Sequence, residues 1–319
     1  MNTHCKAFGS PAATILALLL LLTSASLQAI EIDTGSQTDE TGQEQDQGSL
    51  VEERIKRELA LSQNRSALLA HRRNYFLPLT WSPRPGQALF TGNTSGEDQL
   101  DKYEAQYQLS LKTPLAQDLL LEDDALFVGF TVRSFWQVYN NAISAPFRES
   151  TYETEVFWVK PVPWEILGGD ASLLVLGLSH QSNGRSLPLS RSWNRLYANL
   201  IWERSRFVFS FKPWWRIPEH KKSDPLQTSG DDNPDIEDYL GHFELSVAYR
   251  KFEHEYSLML RNNLDSPNNR GAVQLDWTFP LSGKLRAYVQ FFNGYGESMI
   301  DYNHSVERIG IGFLLSDLL

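Results

Sequence analysis

Apolar and polar side chains alternate with a period of two along many short segments of this chain. In residues 243–249, Phe243, Leu245, Val247 and Tyr249 occupy every second position, between polar or small residues. Successive side chains of an extended strand point to opposite faces of its sheet, so the pattern predicts a β-strand with one apolar and one polar face. A chain built from such strands must fold into a sheet that separates these two faces.

The same alternation occurs in twelve segments, which are joined by short turns and by longer polar connections. These segments are residues 73–82, 103–112, 125–139, 151–160, 172–182, 193–203, 206–216, 238–250, 252–262, 271–279, 284–294 and 305–315. An even number of amphipathic strands, each about ten residues long, with short turns at one end and long loops at the other, is typical of a transmembrane barrel. We therefore predict an all-β fold, a twelve-stranded antiparallel transmembrane β-barrel.

Beyond the N-terminal signal, no stretch approaches the ~20 consecutive apolar residues of a spanning helix, so spanning by helices is excluded. A soluble β-sandwich or a lipocalin-like barrel would alternate in the same way. A membrane barrel is favoured by the signal peptide, by the absence of cysteines after it, by the strand length of about ten residues and by the abundance of aromatic residues. Aromatic residues make up 12% of the chain, and Trp and Tyr are enriched where a membrane protein meets the lipid headgroups. We expect Trp193, Trp214 and Trp215 to lie in such an aromatic girdle.

The N-terminus is typical of a secretory signal peptide, which we place at residues 1–29. Lys6 precedes a long apolar run, and small residues follow it up to Ala29, near which we expect cleavage. Cleavage after Ala25 or Ser26 is the alternative, because Leu27 is a poor residue three positions before a cut at Ala29. Cys5 is the only cysteine of the chain, so the mature protein would contain no disulfide. An exported protein without disulfides must be held together by its core or by its sheet.

An acidic extension, residues 30–71, separates this signal from the predicted barrel domain, residues 72–319. Residues 31–53 contain eight acidic residues and no basic one, which is typical of a solvated tether. The spacing of apolar residues in 49–70 permits a short amphipathic helix that would lie along the barrel or plug it. The formal net charge of the whole chain is -10, which argues against nucleic acid as a partner.

Residues 174–202 contain side chains of the types that serve nucleophilic catalysis. Continuing the alternation of Leu176 and Leu178 by twos puts His180 and Ser182 on the same, lipid-facing side. Residues two apart in a strand have Cα atoms roughly 6.6–6.8 Å apart. An imidazole and a hydroxyl can therefore meet there, as a general base and a nucleophile must.

Asn194 begins the apolar face of the next strand, across the loop of residues 183–192 from Ser182. Its amide oxygen could accept a hydrogen bond from the far imidazole nitrogen of His180 and fix the tautomer of the ring. A histidine two residues from a serine on a strand is usually coincidental, and an asparagine near a strand start is usually a turn residue. The spacing alone therefore leaves both interpretations open.

Several motifs occur in a fixed order along the predicted barrel. They are Asn74-Tyr75 with Leu77-Pro78, Ser144-Ala145-Pro146-Phe147-Arg148-Glu149 with Tyr152-Glu153, His180-Gln181-Ser182-Asn183-Gly184-Arg185-Ser186 with Ser190-Arg191-Ser192-Trp193-Asn194-Arg195-Leu196-Tyr197, Asp231-Asp232-Asn233-Pro234-Asp235-Ile236, and Asn293-Gly294-Tyr295-Gly296-Glu297-Ser298 with Asp301-Tyr302-Asn303. Taken together, they resemble the outer-membrane phospholipase A family of Gram-negative bacteria. The resemblance covers about residue 72 to the C-terminus.

This resemblance implies a calcium-dependent hydrolase of phospholipid acyl esters (a phospholipase A1/A2 and lysophospholipase) in the bacterial outer membrane, active as a homodimer. Carried over residue by residue, Ser182 would be the nucleophile, His180 the base and Asn194 the residue that orients the imidazole. The backbone N–H of Gly184 would stabilise the oxyanion. Ser182 would form an acyl-enzyme, which water would then hydrolyse.

The resemblance also implies a Ca²⁺ ion at the dimer interface. Its ligands would be the carbonyl of Arg185 and the hydroxyl of Ser190 from one subunit, and the carbonyl of Ser144 from the other. Ligation by oxygen alone suits this hard cation. Asp232 would belong to a second calcium site, although Leu187 stands where some relatives carry an acid that helps bind the ion. Without the resemblance, an acidic loop such as the one around Asp232 is usually a solvated turn.

A catalytically silent outer-membrane barrel, such as a pore, an adhesin or a scaffold, is the alternative function. Such a barrel would have no reason to keep a serine, a histidine and an asparagine together with the serines of a calcium loop. A lipid A deacylase or an outer-membrane protease would need different sets of residues. The sequence therefore favours the acyl hydrolase.

Overall fold

A computed structural model describes most of the predicted barrel domain. The residues that it describes are 51, 54, 68–86, 100–224, 227–283 and 285–316. All of them belong to one compact unit, Gln47–Leu319. The predicted signal peptide lies outside the described residues, as does the acidic extension apart from residues 51, 54 and 68–71. None of the described helices is long and apolar enough to cross a membrane.

Fourteen strands are present in the described part of the chain. They are β1 (Leu69–Ala70), β2 (Asn74–Trp81), β3 (Tyr103–Gln117), β4 (Ala125–Trp136), β5 (Phe147–Pro161), β6 (Glu165–Ile166), β7 (Gly169–Ser182), β8 (Ser192–Arg204), β9 (Phe207–Arg216), β10 (Phe243–Lys251), β11 (His254–Asn262), β12 (Gly271–Ser282), β13 (Leu285–Gly294) and β14 (Val306–Ser316). A 3-10 helix, Asn141–Ile143, lies between β4 and β5, and helix α1, Ile236–Leu240, lies between β9 and β10. β1 and β6 have two residues each, and the other twelve strands correspond one to one with the predicted segments.

The twelve longer strands close into one antiparallel barrel. Longer strands that follow each other in the chain pair with each other, β6 forms a short hairpin with β7, and β14 pairs back onto β2. Closure leaves no open sheet edge, which is what lets strands cross a membrane without exposing unpaired backbone groups to lipid. The predicted fold class, an all-β twelve-stranded antiparallel barrel, is confirmed.

The observed strands differ from the predicted segments mainly at their ends. One strand, β5, already begins at Phe147 and not at residue 151. Residues 238–240, predicted as the start of a strand, belong to α1. The buried residues of α1 are Ile236 and Leu240, and a separation of four residues marks one face of a helix, not of a strand.

Connections at the two ends of the barrel differ in length. Those at one end are residues 118–124, 162–168, 205–206, 252–253 and 283–284, and those at the other end are residues 82–102, 137–146, 183–191, 217–242, 263–270 and 295–305. In outer-membrane barrels the short turns face the periplasm and the long loops face the cell exterior. We therefore call the end with the long connections the outer end.

The outside of the barrel is apolar and its lumen is polar. On β7, Leu176 and Leu178 are 46% and 47% exposed on the outside, whereas the next residue, Ser179, is fully buried. Alternation of apolar side chains toward lipid and polar side chains toward the interior is the pattern of a membrane barrel. The lumen contains a cavity of about 490 Å³.

Ion pairs occupy much of the lumen. Glu153 on β5 binds Arg72 (2.7 Å) and Arg195 on β8 (2.7 Å). Arg73, just before β2, binds Asp276 on β12 (2.7 Å). A charge buried without a partner is strongly destabilising, so charges enter this interior together with their counter-charges.

At the outer end, Arg148 links three parts of the chain. Its side chain is 1% exposed and binds Glu104 on β3 (3.0 Å) and Asp301 in the 295–305 connection (3.1 Å). Glu104 also binds Arg308 on β14 (2.7 Å). Because β3, β5 and β14 do not pair with one another in the barrel, these ion pairs join strands that the sheet itself does not connect.

The expectation of an aromatic girdle is wrong for two of the three tryptophans. Trp215 is 57% exposed on the outside, but Trp193 is fully buried and Trp214 is 8% exposed. The rings of the two buried tryptophans meet edge to face with centroids 6.2 Å apart, and the guanidinium of Arg195 lies over both. Because neighbours in a strand point to opposite faces, Trp193 points into the lumen when Asn194 points out.

Two residues of the predicted amphipathic helix, Val51 and Arg54, are described, and both are helical. Val51 packs against Val208 on β9 and Ala248 on β10, and its backbone N–H donates to Glu203 on β8 (3.2 Å). Val51 and Arg54 both line the lumen cavity. At these two positions the extension therefore lies inside the barrel, which agrees with a plug and not with a helix along the outside.

Replacing Arg148 with methionine should destabilise the barrel by about 3–5 kcal/mol, because the buried carboxylates of Glu104 and Asp301 lose a counter-charge. The measurement is the free energy of unfolding by urea in detergent micelles, followed by Trp fluorescence. Arg206→Met, at an exposed turn position, is the matched control and should change this free energy by less than about 0.5 kcal/mol. An Arg148→Met protein as stable as the parent would contradict the structural role of this network.

Candidate active site

His180, Ser182 and Asn194 lie on two neighbouring strands at the outer end of the barrel. Ser182 is the last residue of β7, and Asn194 is the third residue of β8. The register pairs His180 with Asn194, and Ser182 with Ser192. Because His180 and Ser182 follow the exposed Leu178 by twos, their side chains and that of Asn194 are on the outside of the barrel.

A chain of hydrogen bonds joins these side chains to the connection between β9 and β10. His180 Nδ1 lies 2.8 Å from Asn194 Oδ1, and Asn194 Nδ2 donates to Glu219 Oε1 (3.2 Å). The backbone carbonyl of Asn194 accepts a hydrogen bond from the N–H of Ile217 (2.9 Å). Because an ionised carboxylate only accepts hydrogen bonds, the amide turns its Nδ2 toward Glu219 and its Oδ1 toward the imidazole.

The orientation of this amide determines the tautomer of His180. An amide oxygen can only accept, so Nδ1 of the imidazole carries the proton and Nε2 keeps a free lone pair. A neutral imidazole with a free Nε2 is what a general base for a serine hydroxyl requires. The arrangement is therefore chemically suited to activating Ser182.

One buried side chain holds the connection between β7 and β8. Asn183 is 4% exposed; its Oδ1 accepts from the N–H groups of Arg185 (3.3 Å) and Arg191 (3.0 Å), and its Nδ2 donates to the carbonyl of Leu189 (2.9 Å). Gly184, the predicted oxyanion donor, follows it with φ at 61°. This left-handed conformation is strained for residues that have a side chain, so the glycine suits the turn that leads out of β7.

The predicted calcium ligands lie in connections of the outer end. Ser190 Oγ donates to Asp232 Oδ2 (2.5 Å), and Asp232 also binds the ammonium group of Lys222. The guanidinium of Arg185 donates to two backbone carbonyls at the start of β5 (3.1 and 2.6 Å). Ser144 caps the 3-10 helix between β4 and β5. Hydroxyl, carbonyl and carboxylate oxygens, the donors that calcium prefers, are therefore present along this rim.

The other carboxylates of the 231–235 cluster have partners of their own. Asp231 binds Arg216 (2.6 Å), and Asp235 accepts a hydrogen bond from Tyr302. Burial and this hydrogen bond raise the pKa of the Tyr302 hydroxyl above its ordinary value, so the hydroxyl remains a donor at neutral pH. Within the described ranges, no three His, Cys, Asp or Glu side chains are grouped so that they could hold a metal ion.

Sequence reasoning does not predict two residues of this rim, Glu219 and Lys222. Both lie in the polar connection between β9 and β10, which shows no alternation that would place them. Their positions depend on how this connection folds back, for example through the hydrogen bond from the N–H of Asp231 to the carbonyl of His220 (2.9 Å). Contacts between segments this far apart leave no local signal in the sequence.

The closed barrel, with its apolar outside and long connections at one end, defines this chain as an outer-membrane β-barrel. It is similar to outer membrane phospholipase A from Escherichia coli, with a TM-score of 0.74 and 32% sequence identity over 83% of this chain and 98% of that chain. The family model described as Phospholipase A1 matches residues 51–315. The chain therefore belongs to the phospholipase A1 family, and the predicted family, esterase class and outer-membrane location are confirmed.

Known relatives are similar over most of the chain. A putative phospholipase A1 from Neisseria meningitidis serogroup B is 39% identical over 78% of this chain, which spans 65% of that relative's length. A phospholipase A1 from Klebsiella pneumoniae is 38% identical over 68% of this chain and 72% of that protein. A dimer of the Salmonella typhi outer membrane phospholipase with bound calcium has a TM-score of 0.72 and 33% identity, over 80% of this chain and 94% of that chain.

Replacing Asn183 with alanine should loosen the connection between β7 and β8 and leave the strands intact, because the loop loses three hydrogen bonds. Hydrogen–deuterium exchange measured by mass spectrometry should become faster by about an order of magnitude in peptides that cover residues 184–191. Asn269→Ala, at an exposed position between β11 and β12, is the control and should leave those peptides unchanged. Unaltered exchange in Asn183→Ala would show that this side chain does not hold the loop.

Proposed function

We propose that this chain hydrolyses the acyl ester bonds of phospholipids in the bacterial outer membrane, as a calcium-dependent phospholipase A1/A2 and lysophospholipase that is active as a homodimer. One observation carries the proposal. On the lipid-facing side of two paired strands, His180 Nδ1 lies 2.8 Å from Asn194 Oδ1, and Ser182 follows the histidine by two residues. The family supplies the substrate class, since its model is described as Phospholipase A1.

Each residue of the site has a definite role in the proposed reaction. Ser182 Oγ attacks the ester carbonyl while His180 Nε2 takes its proton, and Asn194 holds the imidazole and stabilises the imidazolium. The backbone N–H of Gly184 donates to the oxyanion of the tetrahedral intermediate. His180 returns the proton to the oxygen of the departing lysophospholipid. It then activates the water that releases the fatty acid from Ser182.

A site on the outside of the barrel suits a substrate that is itself part of the membrane. Leu176 and Leu178 form an exposed apolar row on β7 that leads directly to His180 and Ser182. A phospholipid can lie with its acyl chains along this row and its ester groups at the outer end, where the hydrocarbon core of the bilayer gives way to the headgroup region. The position of the site therefore favours a lipid ester over a soluble one.

The oxygen donors of the outer rim fit a calcium ion. We assign the hydroxyl of Ser190 and the carbonyl of Arg185 as ligands from one subunit, and the carbonyl of Ser144 as a ligand from the second subunit. When bound, the cation would stabilise the negative charge of the oxyanion. The related Salmonella typhi protein forms a dimer with bound calcium, which supports a role for calcium and for a dimer in this chain. A second ion at Asp232 would have to displace the ammonium group of Lys222.

The passive barrel finds less support. Buried ion pairs such as Arg148 with Asp301 and Arg73 with Asp276 join non-neighbouring parts of the barrel inside the lumen, whereas a porin encloses a water-filled channel. The hydrogen bond between His180 and Asn194 faces outward at the membrane boundary, and polar groups placed at such a cost are usually functional. Both observations favour the acyl hydrolase.

Ser182→Ala should lower the release of fatty acid from phospholipid in mixed micelles by at least about 10³-fold, because the nucleophile is lost. Ser192→Ala removes a hydroxyl from the residue directly opposite on β8 and should keep most of the activity. The heat-induced mobility shift of the barrel in SDS gels shows that both variants are folded. Full activity of a folded Ser182→Ala protein would exclude this serine as the nucleophile.

Chelation of calcium by EDTA should abolish fatty-acid release, and added calcium should restore it. In Ser190→Ala, the calcium concentration for half-maximal activity should rise roughly tenfold or more, because a ligand is lost. Ser186→Ala, an exposed serine of the same connection, should respond to calcium like the parent. An identical response in Ser190→Ala would contradict the assignment of this hydroxyl as a ligand.

A further inference from the structure

We infer that Glu219 is a positioning residue of the candidate active site and acts on His180 through Asn194. Glu219 Oε1 accepts a hydrogen bond from Asn194 Nδ2 (3.2 Å), while Oδ1 of the same amide lies 2.8 Å from His180 Nδ1. One conjugated amide thus joins the carboxylate to the imidazole. The inference rests on the proposed function, because it concerns the residue that would serve as the general base.

The backbone on both sides of Glu219 is fixed, which limits where its carboxylate can go. On one side, the N–H of Ile217 donates to the carbonyl of Asn194 (2.9 Å). On the other side, the carbonyl of His220 accepts from the N–H of Asp231 (2.9 Å), and the side chain of Asp231 binds Arg216 at the end of β9 (2.6 Å). The connection is therefore tied to the same residue whose side chain Glu219 binds.

The first effect of Glu219 is to select one of the two orientations of the Asn194 amide. A flipped amide would present its NH₂ group to His180 Nδ1, and this would place the ring proton on Nε2. Nε2 would then have no lone pair with which to accept the proton of Ser182. Because a carboxylate accepts but does not donate, Glu219 favours the orientation that leaves Nε2 free.

The second effect is electrostatic. A carboxylate at the Nδ2 end polarises the amide and makes its oxygen a stronger acceptor, which stabilises the imidazolium formed during proton transfer. The neighbours of His180 on the paired strands are Thr154 and Asn194, and Tyr152 lies beside Ser182. The acidic and basic side chains of the adjacent strand positions, Glu153 on β5 and Arg195 on β8, pair with each other in the lumen. Among the residues that the structure describes, Glu219 is the carboxylate that accepts a hydrogen bond from Asn194.

The test is Glu219→Gln in the mature full-length protein, with phospholipid micelles and saturating calcium. Removal of the charge should lower kcat about three- to tenfold with little change in KM. The acid limb of the kcat/KM profile should move to lower pH, because an imidazolium without the nearby carboxylate forms less readily. Glu219→Ala should change kcat and the profile in the same direction.

Two comparisons isolate the mechanism. Asp238→Asn removes a negative charge from an exposed position in the same connection and should leave both kcat and the profile unchanged. In an Asn194→Ala background, Glu219→Gln should have no further effect on kcat, because its effect passes through the missing amide. An unchanged kcat and pH profile in a folded Glu219→Gln protein, or an equal loss in the Asn194→Ala background, would overturn the inference.

Ser182→Ala in the same series separates this inference from the proposed function. If Ser182→Ala is inactive and Glu219→Gln behaves like the parent, the proposed hydrolase function is supported and the role of Glu219 is contradicted. If Ser182→Ala is as active as the parent, both the proposed function and the role of Glu219 are contradicted.

Discussion

The antiparallel register between β7 and β8 determines where the candidate active site lies. The pairing runs without a bulge from Leu174 to Ser182, so every second residue of both strands faces lipid. A slip of β8 by one residue against β7 would turn Asn194 into the lumen and bring Trp193 to the outside, while His180 would still face lipid without its amide partner. The register that gives the barrel its apolar surface therefore also brings an imidazole and an amide together at the outer end of that surface.

The candidate active site is on the outside of the barrel, and contacts in the lumen hold the outer end of the barrel in place from within. Buried ion pairs are weak sources of net stability, but the loss of one partner is costly, so the network around Arg148 fixes an arrangement more than it adds free energy. Glu149, the residue after Arg148, accepts hydrogen bonds from the N–H groups of Met299 (3.1 Å) and Ile300 (3.0 Å) in the 295–305 connection. The guanidinium of Arg185 donates to two carbonyls at the start of β5. The start of β5 thus joins the 295–305 connection to the loop that follows Ser182.

Much of the fold is predictable from the sequence because alternation is a local signal. Each of the twelve predicted segments corresponds to a strand, and the outward direction of His180 and Ser182 follows from Leu176 and Leu178. The same rule places Trp193 in the lumen once Asn194 faces outward, which is incompatible with a position of Trp193 in an aromatic girdle. The sequence does not predict helix α1, because five residues are too few to show a helical period.

The roles of Glu219, Lys222 and Arg148 could not be predicted, because each depends on contacts across the barrel or across a long connection. Glu219 lies 25 positions from Asn194, and Arg148 lies 153 positions from Asp301. The register of the strands determines only which residues are neighbours within the barrel wall and which side of the wall they face. Where the connections fold back is decided by side chains such as Asp231, which binds Arg216 at the end of β9, and Asn183, which binds three backbone groups of its own loop. These residues follow no periodic pattern in the sequence.

The placement of charge around His180 follows from its position at the membrane boundary. A carboxylate in place of Asn194 would bind the imidazole more strongly, but it would expose a full negative charge beside the apolar row of β7, where charged groups are costly. A neutral amide avoids that cost and still accepts the hydrogen bond of Nδ1–H. The negative charge lies instead on Glu219, which is in the connection beyond the strands, where water can solvate it. The amide of Asn194 transmits part of the effect of this charge to the imidazole. A hydrolase that faces lipid can in this way keep its base oriented and polarised without placing an ion on the lipid-facing wall.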